Sequence, residues 1–412
     1  MIYGLLGENI SHSFSPLIHK NFGDYKYKLF DMQKEEIENF IKKEDIGGLN
    51  ITMPYKKEIM KYCKTISDKA KKIGCVNTVV YDEFRNLHGY NTDYDGFLYL
   101  LEKNNIDVYN KNIAILGNGS TSKTVYNVLK DLQAKSIIKI SRSGDIGFKD
   151  IEKFINIDIL INTTPVGMYP ICPDSLIDLE NFPNVSTVID IIYNPIMTKL
   201  LIDAYKRGLN YVNGLDMLIA QGKVASELFQ KKSISNELLN KTVKDIKRDN
   251  SNIIIIGMPG SGKSSIGRNL AKNLNREFID IDKEIEKNQN MSIPNIFKNY
   301  GEQYFRNIEK EMVEKVGKLQ GKVISTGGGV IIDRDNYYPL KQNGVVFNIT
   351  RHLDNLSSKG RPLSQGGRDK IYKLYNERKD NYDYFKDFNI ENRYFKYTVK
   401  EIQEKYYEYF NN

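Results

Sequence analysis

Short apolar runs alternate with amphipathic stretches along most of the chain. The runs Ile113–Leu116, Ile137–Ile140, Ile157–Ile161, Val188–Ile192, Ile253–Ile256, Val323–Ser325 and Val345–Ile349 read as buried parallel strands. The stretches between them carry apolar residues at helical spacing. Strands alternating with helices predict α/β units built on parallel sheets. A polar stretch, Lys241–Ser251, reads as a helix end and linker. The boundaries that follow are a first lobe over 1–105, a second over 106–245, a linker at 246–252 and a further domain over 253–412. The tyrosine- and charge-rich stretch from Tyr372 to Asn412 reads as mostly helical.

Two of the strands lead into glycine loops with different chemistry. After Ile253–Ile256 comes Gly257-Met-Pro-Gly260-Ser261-Gly262-Lys263-Ser264, which fits G-x-x-x-x-G-K-[ST], and a helical pattern from Ser265 to Leu274 follows. Such glycines let backbone N–H groups cradle phosphate oxygens at a helix N-terminus. Lys263 is placed for the β- and γ-phosphates, and the Ser264 hydroxyl for Mg²⁺. After Ile113–Leu116 comes Gly117-Asn118-Gly119-Ser120-Thr-Ser122, a partial dinucleotide fingerprint with serine at the third glycine position. The strand after it ends in Ser141-Arg142-Ser143. An arginine flanked by hydroxyls suits a ribose 2′-phosphate rather than a bare 2′-hydroxyl, so the cofactor expected is NADP(H).

Composition narrows the classes. The chain has 412 residues and a formal net charge of +8. Its lysines are spread without a basic block, which argues against a nucleic-acid partner. No apolar run approaches the ~20 residues of a membrane span, and the N-terminus lacks the pattern of a signal peptide. Cys63, Cys75 and Cys172 are too few and scattered for a disulfide framework or a zinc site. The expected location is the cytoplasm, with small-molecule partners; monomer and homodimer are both compatible with the sequence.

Around the second glycine loop lie Phe278-Ile-Asp280-Ile-Asp282, read as a strand pointing both carboxylates to one side, then Gly301-Glu-Gln-Tyr-Phe-Arg306 with Glu309 one turn on, Thr326-Gly327-Gly328-Gly329, Arg361-Pro-Leu and Arg378. From about residue 252 onward this resembles shikimate kinase. The resemblance implies that Asp282 binds shikimate and activates its attacking hydroxyl. Asp280 and Ser264 would serve Mg²⁺. Arg306 and Arg378 would grip the carboxylate, beside the Gly327–Gly329 turn. Arg361 would close over ATP with the loop Gly257 to Ser265.

The first 245 residues carry His12-Ser13-Phe-Ser15-Pro, Gly48-Leu-Asn-Ile-Thr52-Met-Pro-Tyr-Lys56, Gly74-Cys-Val-Asn77-Thr, Gly89-Tyr-Asn-Thr-Asp93, Asn162-Thr-Thr-Pro-Val-Gly167, Asp190-Ile-Ile-Tyr193 and Gly214-Leu-Asp-Met217-Leu-Ile-Ala-Gln221. In this order they resemble shikimate dehydrogenase. The resemblance implies Ser13 and Ser15 for the substrate carboxylate, and Thr52, Asn77 and Gln221 for ring hydroxyls or the carboxylate, with Tyr193 nearby. Lys56 and Asp93 would be the acid/base pair. Gly117, Asn118, Gly119, Ser120, Ser141, Arg142, Ser143, Asn162, Gly214 and Met217 would bind NADP. Asp216 stands where the family often has a small or apolar residue.

The fold expected is therefore α/β: a substrate lobe plus a Rossmann NADP-binding lobe with C-terminal helices returning to the first lobe, followed by a P-loop kinase domain with a parallel sheet. The expected activity is bifunctional: 3-dehydroshikimate to shikimate with NADPH, then shikimate to shikimate 3-phosphate with ATP and Mg²⁺. Two alternatives stay open: a non-catalytic sensor that keeps both binding sites, and a first half that prefers quinate or NAD.

Overall fold

The computed structural model describes residues 1–411 apart from His12, Glu44, Ser143, Asp145, residues 154–155, Ile171 and residues 357–367. Contacts divide the chain into two compact units, Met1–Asn194 with Asp203–Val243, and Pro195–Ile202 with Lys244–Asn412.

The first unit holds two sheets. One contains β1 (Ile2–Gly7), β2 (Lys26–Asp31), β3 (Ile46–Ile51), β4 (Thr65–Ile66), β5 (Thr78–Tyr81) and β6 (Leu87–Tyr90) in the order β2-β1-β3-β5-β6-β4. The helices α1 (Ser15–Phe22), α2 (Ile37–Phe40), α3 (Asp68–Ile73) and α4 (Thr92–Lys103) belong to the same stretch. This sheet is mixed rather than parallel, because β5 runs antiparallel to both β3 and β6. The reason is local. The β5–β6 connection is a tight turn in which Arg85 takes φ 62° and Asp82 accepts bonds from the Phe84 and Asn86 backbone N–H groups.

The second sheet follows the expected parallel pattern. It contains β7 (Asn112–Leu116), β8 (Ser136–Ile140), β9 (Ile159–Asn162), β10 (Thr187–Asp190) and β11 (Asn210–Asn213) in the order β11-β10-β9-β7-β8, every pair parallel. Its helices are α5 (Ser120–Asp131), α6 (Lys199–Lys206), whose first turn falls in the second unit, α7 (Leu215–Gln230) and α8 (Asn236–Asn250). Ile113, Ile115, Ile159, Ile161 and Ile189 are buried in one core with Phe97 and Leu101 of α4 and Val125 and Val128 of α5. The strand order reverses at β7, and in such sheets ligands bind at the carboxyl ends beside the reversal.

The second unit carries a five-stranded parallel sheet, β13-β14-β12-β15-β16. In chain order it runs β12 (Asn252–Ile256), α9 (Lys263–Leu274), β13 (Phe278–Asp280), α10 (Ile281–Gln289), α11 (Ile293–Gly317), β14 (Val323–Ser325), α12 (Tyr337–Asn343), β15 (Gly344–Thr350), α13 (Arg368–Phe385), β16 (Phe388–Glu391) and α14 (Phe395–Asn411). Ile253 and Ile255 pack into one core and Ile254 and Ile256 into the other, so β12 is buried on both faces.

Two sequence expectations need correction here. Residues 246–250 are not linker but the end of α8, and β12 starts after the single residue Ser251. Two carbonyls at that junction are held by side chains. Arg276 donates to the carbonyls of Arg248 and Ser251, and the Tyr406 hydroxyl donates to the same two. Asp282 is not on a strand: Asp280 ends β13 and N-caps α10, so Asp282 falls in the first helical turn. The C-terminal stretch is mostly helical, as its pattern predicts, and carries the short strand β16 between its two helices.

Candidate functional site

In the first unit, Lys56 follows β3 and Asp93 sits in the first turn of α4. Asn91 caps that helix by accepting from the Tyr94 N–H. Lys56 Nζ and Asp93 Oδ2 are 2.6 Å apart, with both side chains largely buried. Around them lies a network of neutral polar groups. Asn77 Nδ2 donates to Thr92 Oγ1 at 3.0 Å, and Thr92 Oγ1 meets Gln221 Oε1 at 3.3 Å. Asn77 is 3% exposed, and its carboxamide oxygen also accepts the Thr92 backbone N–H at 2.7 Å. This joins Asn77, Asp93 and Gln221 into one neighbourhood.

Ser15 is buried at the start of α1, and Ser13 Oγ donates to Ser15 Oγ at 3.1 Å. Thr52 lies just past the end of β3, its backbone N–H bonded to the Leu6 carbonyl of β1. The Tyr193 ring packs 5.5 Å from Phe14, between Ser13 and Ser15 in sequence, and burial pushes its hydroxyl pKa up.

On the cofactor side, Gly117 takes φ 112° at the end of β7, and a Cβ there would lie 2.7 Å from Thr163 Oγ1. The loop Asn118-Gly119 is exposed, and α5 begins at Ser120. Asn162, at the end of β9, is held by Asp190 Oδ1 at 3.0 Å. Gly214 passes so close to the Ile191 carbonyl that a Cβ there would collide with it. Met217 is buried one turn into α7. Ser141 is 7% exposed and its Oγ has no partner among the described residues, while Arg142 beside it is exposed. Ser143 lies outside the described residues.

In the second unit, a cavity of about 440 Å³ opens beside the glycine loop. Its walls include Gly260, Lys263, Ser264, Asp280, Asp282, Arg306, Glu309, Gly327, Gly328, Gly329 and Arg378. Positive φ values at Gly257, Gly260 and Gly262 bend the loop into a shape open to glycine. Lys263 Nζ donates to the carbonyls of Gly257 and Met258 at 2.9 and 3.1 Å. Ser261 is fully buried, its Oγ without a partner among the described residues, and Ser265 is exposed.

Arg306 Nη1 donates to Glu309 Oε2 at 2.6 Å. Arg378, 5% exposed, donates to the Gly328 carbonyl at 2.9 Å. A Cβ on Gly329 would run into the Arg306 guanidinium, so the glycine turn and the arginine depend on each other. Burial, then the neighbouring Asp280, raises the Asp282 carboxyl to about 6. Burial raises Glu309 to about 7 against the opposing pull of Arg306. Arg361 lies outside the described residues.

Residues 5–79 match the family model of the shikimate dehydrogenase substrate binding domain, and residues 259–407 that of shikimate kinase. A shikimate dehydrogenase (NADP(+)) of Clostridium beijerinckii is 42% identical over 255 residues, covering 57% of this chain and 94% of the relative. One from Clostridium botulinum is 38% identical over 248 residues, covering 55% and 95%. The chain belongs to the shikimate dehydrogenase family. A shikimate kinase domain is fused behind it.

Solved structures agree on the first part. A chorismate mutase/shikimate 5-dehydrogenase fusion protein from Clostridium acetobutylicum is 35% identical with a TM-score of 0.57, covering 60% of this chain and 97% of that one. A shikimate 5-dehydrogenase from Thermus thermophilus, solved with NADP(H) and shikimate, is 26% identical with a TM-score of 0.55, covering 60% and 99%. The chain is thus an enzyme with a dehydrogenase part and a kinase part.

The residues present suit the expected groups. The buried, unpartnered Ser141 hydroxyl beside Arg142 offers donors to a phosphate. Ser264 and Asp280 share a cavity wall with the phosphate loop, and few protein ligands is the usual condition of Mg²⁺ on a nucleotide. Among the described residues, no helix is long and apolar enough to cross a membrane. Glu309 had no role assigned from the sequence. Its i,i+3 spacing from Arg306 on one helix was the available signal. Asp216 is explained by its partners: Lys103 Nζ donates to it at 2.6 Å and Asn104 Nδ2 at 3.0 Å.

Proposed function

We propose that the chain reduces 3-dehydroshikimate to shikimate with NADPH and then phosphorylates the shikimate 3-hydroxyl with Mg²⁺-ATP. The observation that supports this reading best is that each half gathers polar side chains suited to one small carboxylated polyol, the first around a lysine–carboxylate pair and the second in a cavity beside a phosphate loop. When bound, NADPH supplies the hydride and Mg²⁺-ATP the phosphoryl group.

In the dehydrogenase part, Ser13 and Ser15 take the carboxylate, with Tyr193 alongside. Thr52, Asn77 and Gln221 bind the ring hydroxyls. Lys56 Nζ, held at 2.6 Å by Asp93 Oδ2, polarises the C3 carbonyl and gives its proton to the alkoxide oxygen. Gly117, Asn118, Gly119 and Ser120 lie along the pyrophosphate. Ser141, Arg142 and Ser143 hold the 2′-phosphate, and Asn162, Gly214 and Met217 face the nicotinamide.

In the kinase part, Arg306 and Arg378 hold the carboxylate as planar, multidentate donors. Asp282 accepts the proton of the attacking hydroxyl; a carboxyl raised to about 6 takes a proton more readily than an ordinary one and is still mostly ionised at pH 7. Lys263 and the loop from Gly257 to Ser265 bind the triphosphate, Ser264 and Asp280 serve Mg²⁺, and Arg361 closes over the transferred group. The chain works in the cytoplasm, as a monomer or homodimer.

The test is a coupled assay of the purified chain with 3-dehydroshikimate, NADPH and MgATP. Shikimate 3-phosphate is the expected product. Binding of both substrates without turnover would replace this reading with the sensor, and faster turnover of the quinate-series ketone would shift the substrate of the first half.

A further inference from the structure

We propose that Gly96 and Asp216 are positioning residues that set the spacing between the proton-donating pair and the cofactor side of the reductase site. The proposal rests on the dehydrogenase reading above. α4 carries Asp93 in its first turn, and α7 carries Met217 and Gln221. The two helices cross at Gly96. A Cβ at that position would lie 2.5 Å from the Met217 carbonyl oxygen, 3.0 Å from Gln221 Cβ and 3.2 Å from the Gln221 backbone nitrogen. The obstruction is largely backbone, which cannot swing aside as a side-chain tip can. Any side chain at 96 must therefore push α7 away from α4, taking Met217 and Gln221 with it. Glycine disfavours a helix interior, so its place in the middle of α4 asks for a reason, and this crossing supplies one.

The same pair of helices is pinned on both sides of the crossing. Toward the start of α4, Thr92 Oγ1 meets Gln221 Oε1 at 3.3 Å. At its other end, Lys103 Nζ donates to Asp216 Oδ1 at 2.6 Å and Asn104 Nδ2 donates to Asp216 Oδ2 at 3.0 Å. Asp216 is 8% exposed. An acid in the first turn of α7 suits the helix dipole, but the dipole alone requires neither donor from α4. The three contacts run antiparallel along the two helices and fix one register. That register sets Gly96, three residues past Asp93 on α4, against Met217 and Gln221 on α7, so it also fixes where the Asp93 end of the Lys56–Asp93 pair stands relative to the cofactor side.

The test uses the full chain carrying Gly96→Ala, Asp216→Asn or Lys103→Met. Three quantities are read: NADPH affinity by binding fluorescence, kcat for reduction, and the primary deuterium isotope effect on kcat with 4-deuterated NADPH. A misplacement near 1 Å can cost about 10²-fold, so Gly96→Ala should lower kcat by that order. Asp216→Asn and Lys103→Met should lower it by about tenfold or less, since they loosen the crossing without forcing it apart. NADPH affinity should hold, and the isotope effect should rise in all three, because the hydride step itself has become slow. A merely structural role would lower the amount of folded protein and leave the isotope effect where it was.

Gly96→Ala with normal NADPH binding and near-normal kcat overturns the proposal. If Gly96→Ala no longer binds NADPH, the other two variants decide, and unchanged kcat and isotope effect in both overturns it equally. A wild-type chain that never oxidises NADPH with 3-dehydroshikimate would instead overturn the dehydrogenase reading, and this proposal with it.

Discussion

The dehydrogenase and kinase parts bury reactive carboxylates in opposite ways. Asp93 is matched by a lysine at 2.6 Å, so its charge is answered by a direct partner. Asp282 lies beside a second acid, Asp280, and burial raises it to about 6; Glu309 behind it is raised to about 7 even though it holds Arg306. In the reactions proposed above, the difference follows the proton. In the proposed reduction the proton is delivered to an alkoxide, and a paired lysine keeps it ready. In the proposed phosphorylation the proton is collected from a hydroxyl, and a carboxylate made more basic by its surroundings collects it better.

This contrast can be broken from either side. The largest expected effect is from Lys56→Ala, which should lower 3-dehydroshikimate reduction by about 10²–10⁴-fold while phosphorylation of added shikimate continues. Lys263→Ala should give the mirror result. Rates of both reactions on each variant check it, and loss of both activities in a folded protein would sink the two-site picture. Next is Arg142→Ala. A hydrogen bond to a charged group is worth about 1.5–3 kcal/mol, so NADPH affinity should fall by roughly 10–100-fold with NADH affinity little changed. Parallel kinetics with both cofactors measure this, and an equal loss for both would remove Arg142 from the 2′-phosphate.

The pH profiles sharpen the comparison. Kinase kcat/KM should fall tenfold per unit as pH drops below about 6, where Asp282 takes up a proton. A profile flat to pH 4.5 would deny Asp282 the role of base. The smallest effect is on stability. A carboxyl whose folded pKa is raised favours the fold in its protonated form. That contribution is complete below the ordinary Asp range and is lost as pH rises through about 6. Asp282→Asn should therefore melt above wild type at pH 7.5 and close to it at pH 4. Calorimetry at the two values decides, and no difference between them would mean the carboxyl is less strained than its burial implies.

What the sequence disclosed and what it hid divide along physical lines. Ile253–Ile256 before the phosphate loop was legible because a run buried on both faces needs no partner to look like a strand. The segment Phe278–Asp282 was misleading, because the Ile-Asp-Ile-Asp alternation over residues 279–282 looks like a strand. Only the Asp280 side chain, accepting from the Lys283 N–H, turns the chain into α10 at that point. The direction of β5 was hidden because the side-chain pattern of a strand is the same whichever way it runs, and β16 because its flanks are helical and rich in charge. Arg306 and its i,i+3 partner Glu309 were visible as residues, but the close approach of Gly329 to the Arg306 guanidinium is tertiary.

The end of α8 decides how this protein can be taken apart. A fragment beginning at the first residue of β12 would leave the Tyr406 hydroxyl and the Arg276 guanidinium without the Arg248 and Ser251 carbonyls they now hold. Tyr406 is 1% exposed, so its lost acceptors could not be replaced freely by water. A kinase excised for separate study therefore has to carry the last turns of the preceding helix with it, from about Lys244. By the same logic a protease seeking a loose joint between β12 and what precedes it meets hydrogen-bonded helix up to Asn250 and one bonded residue, not a tether.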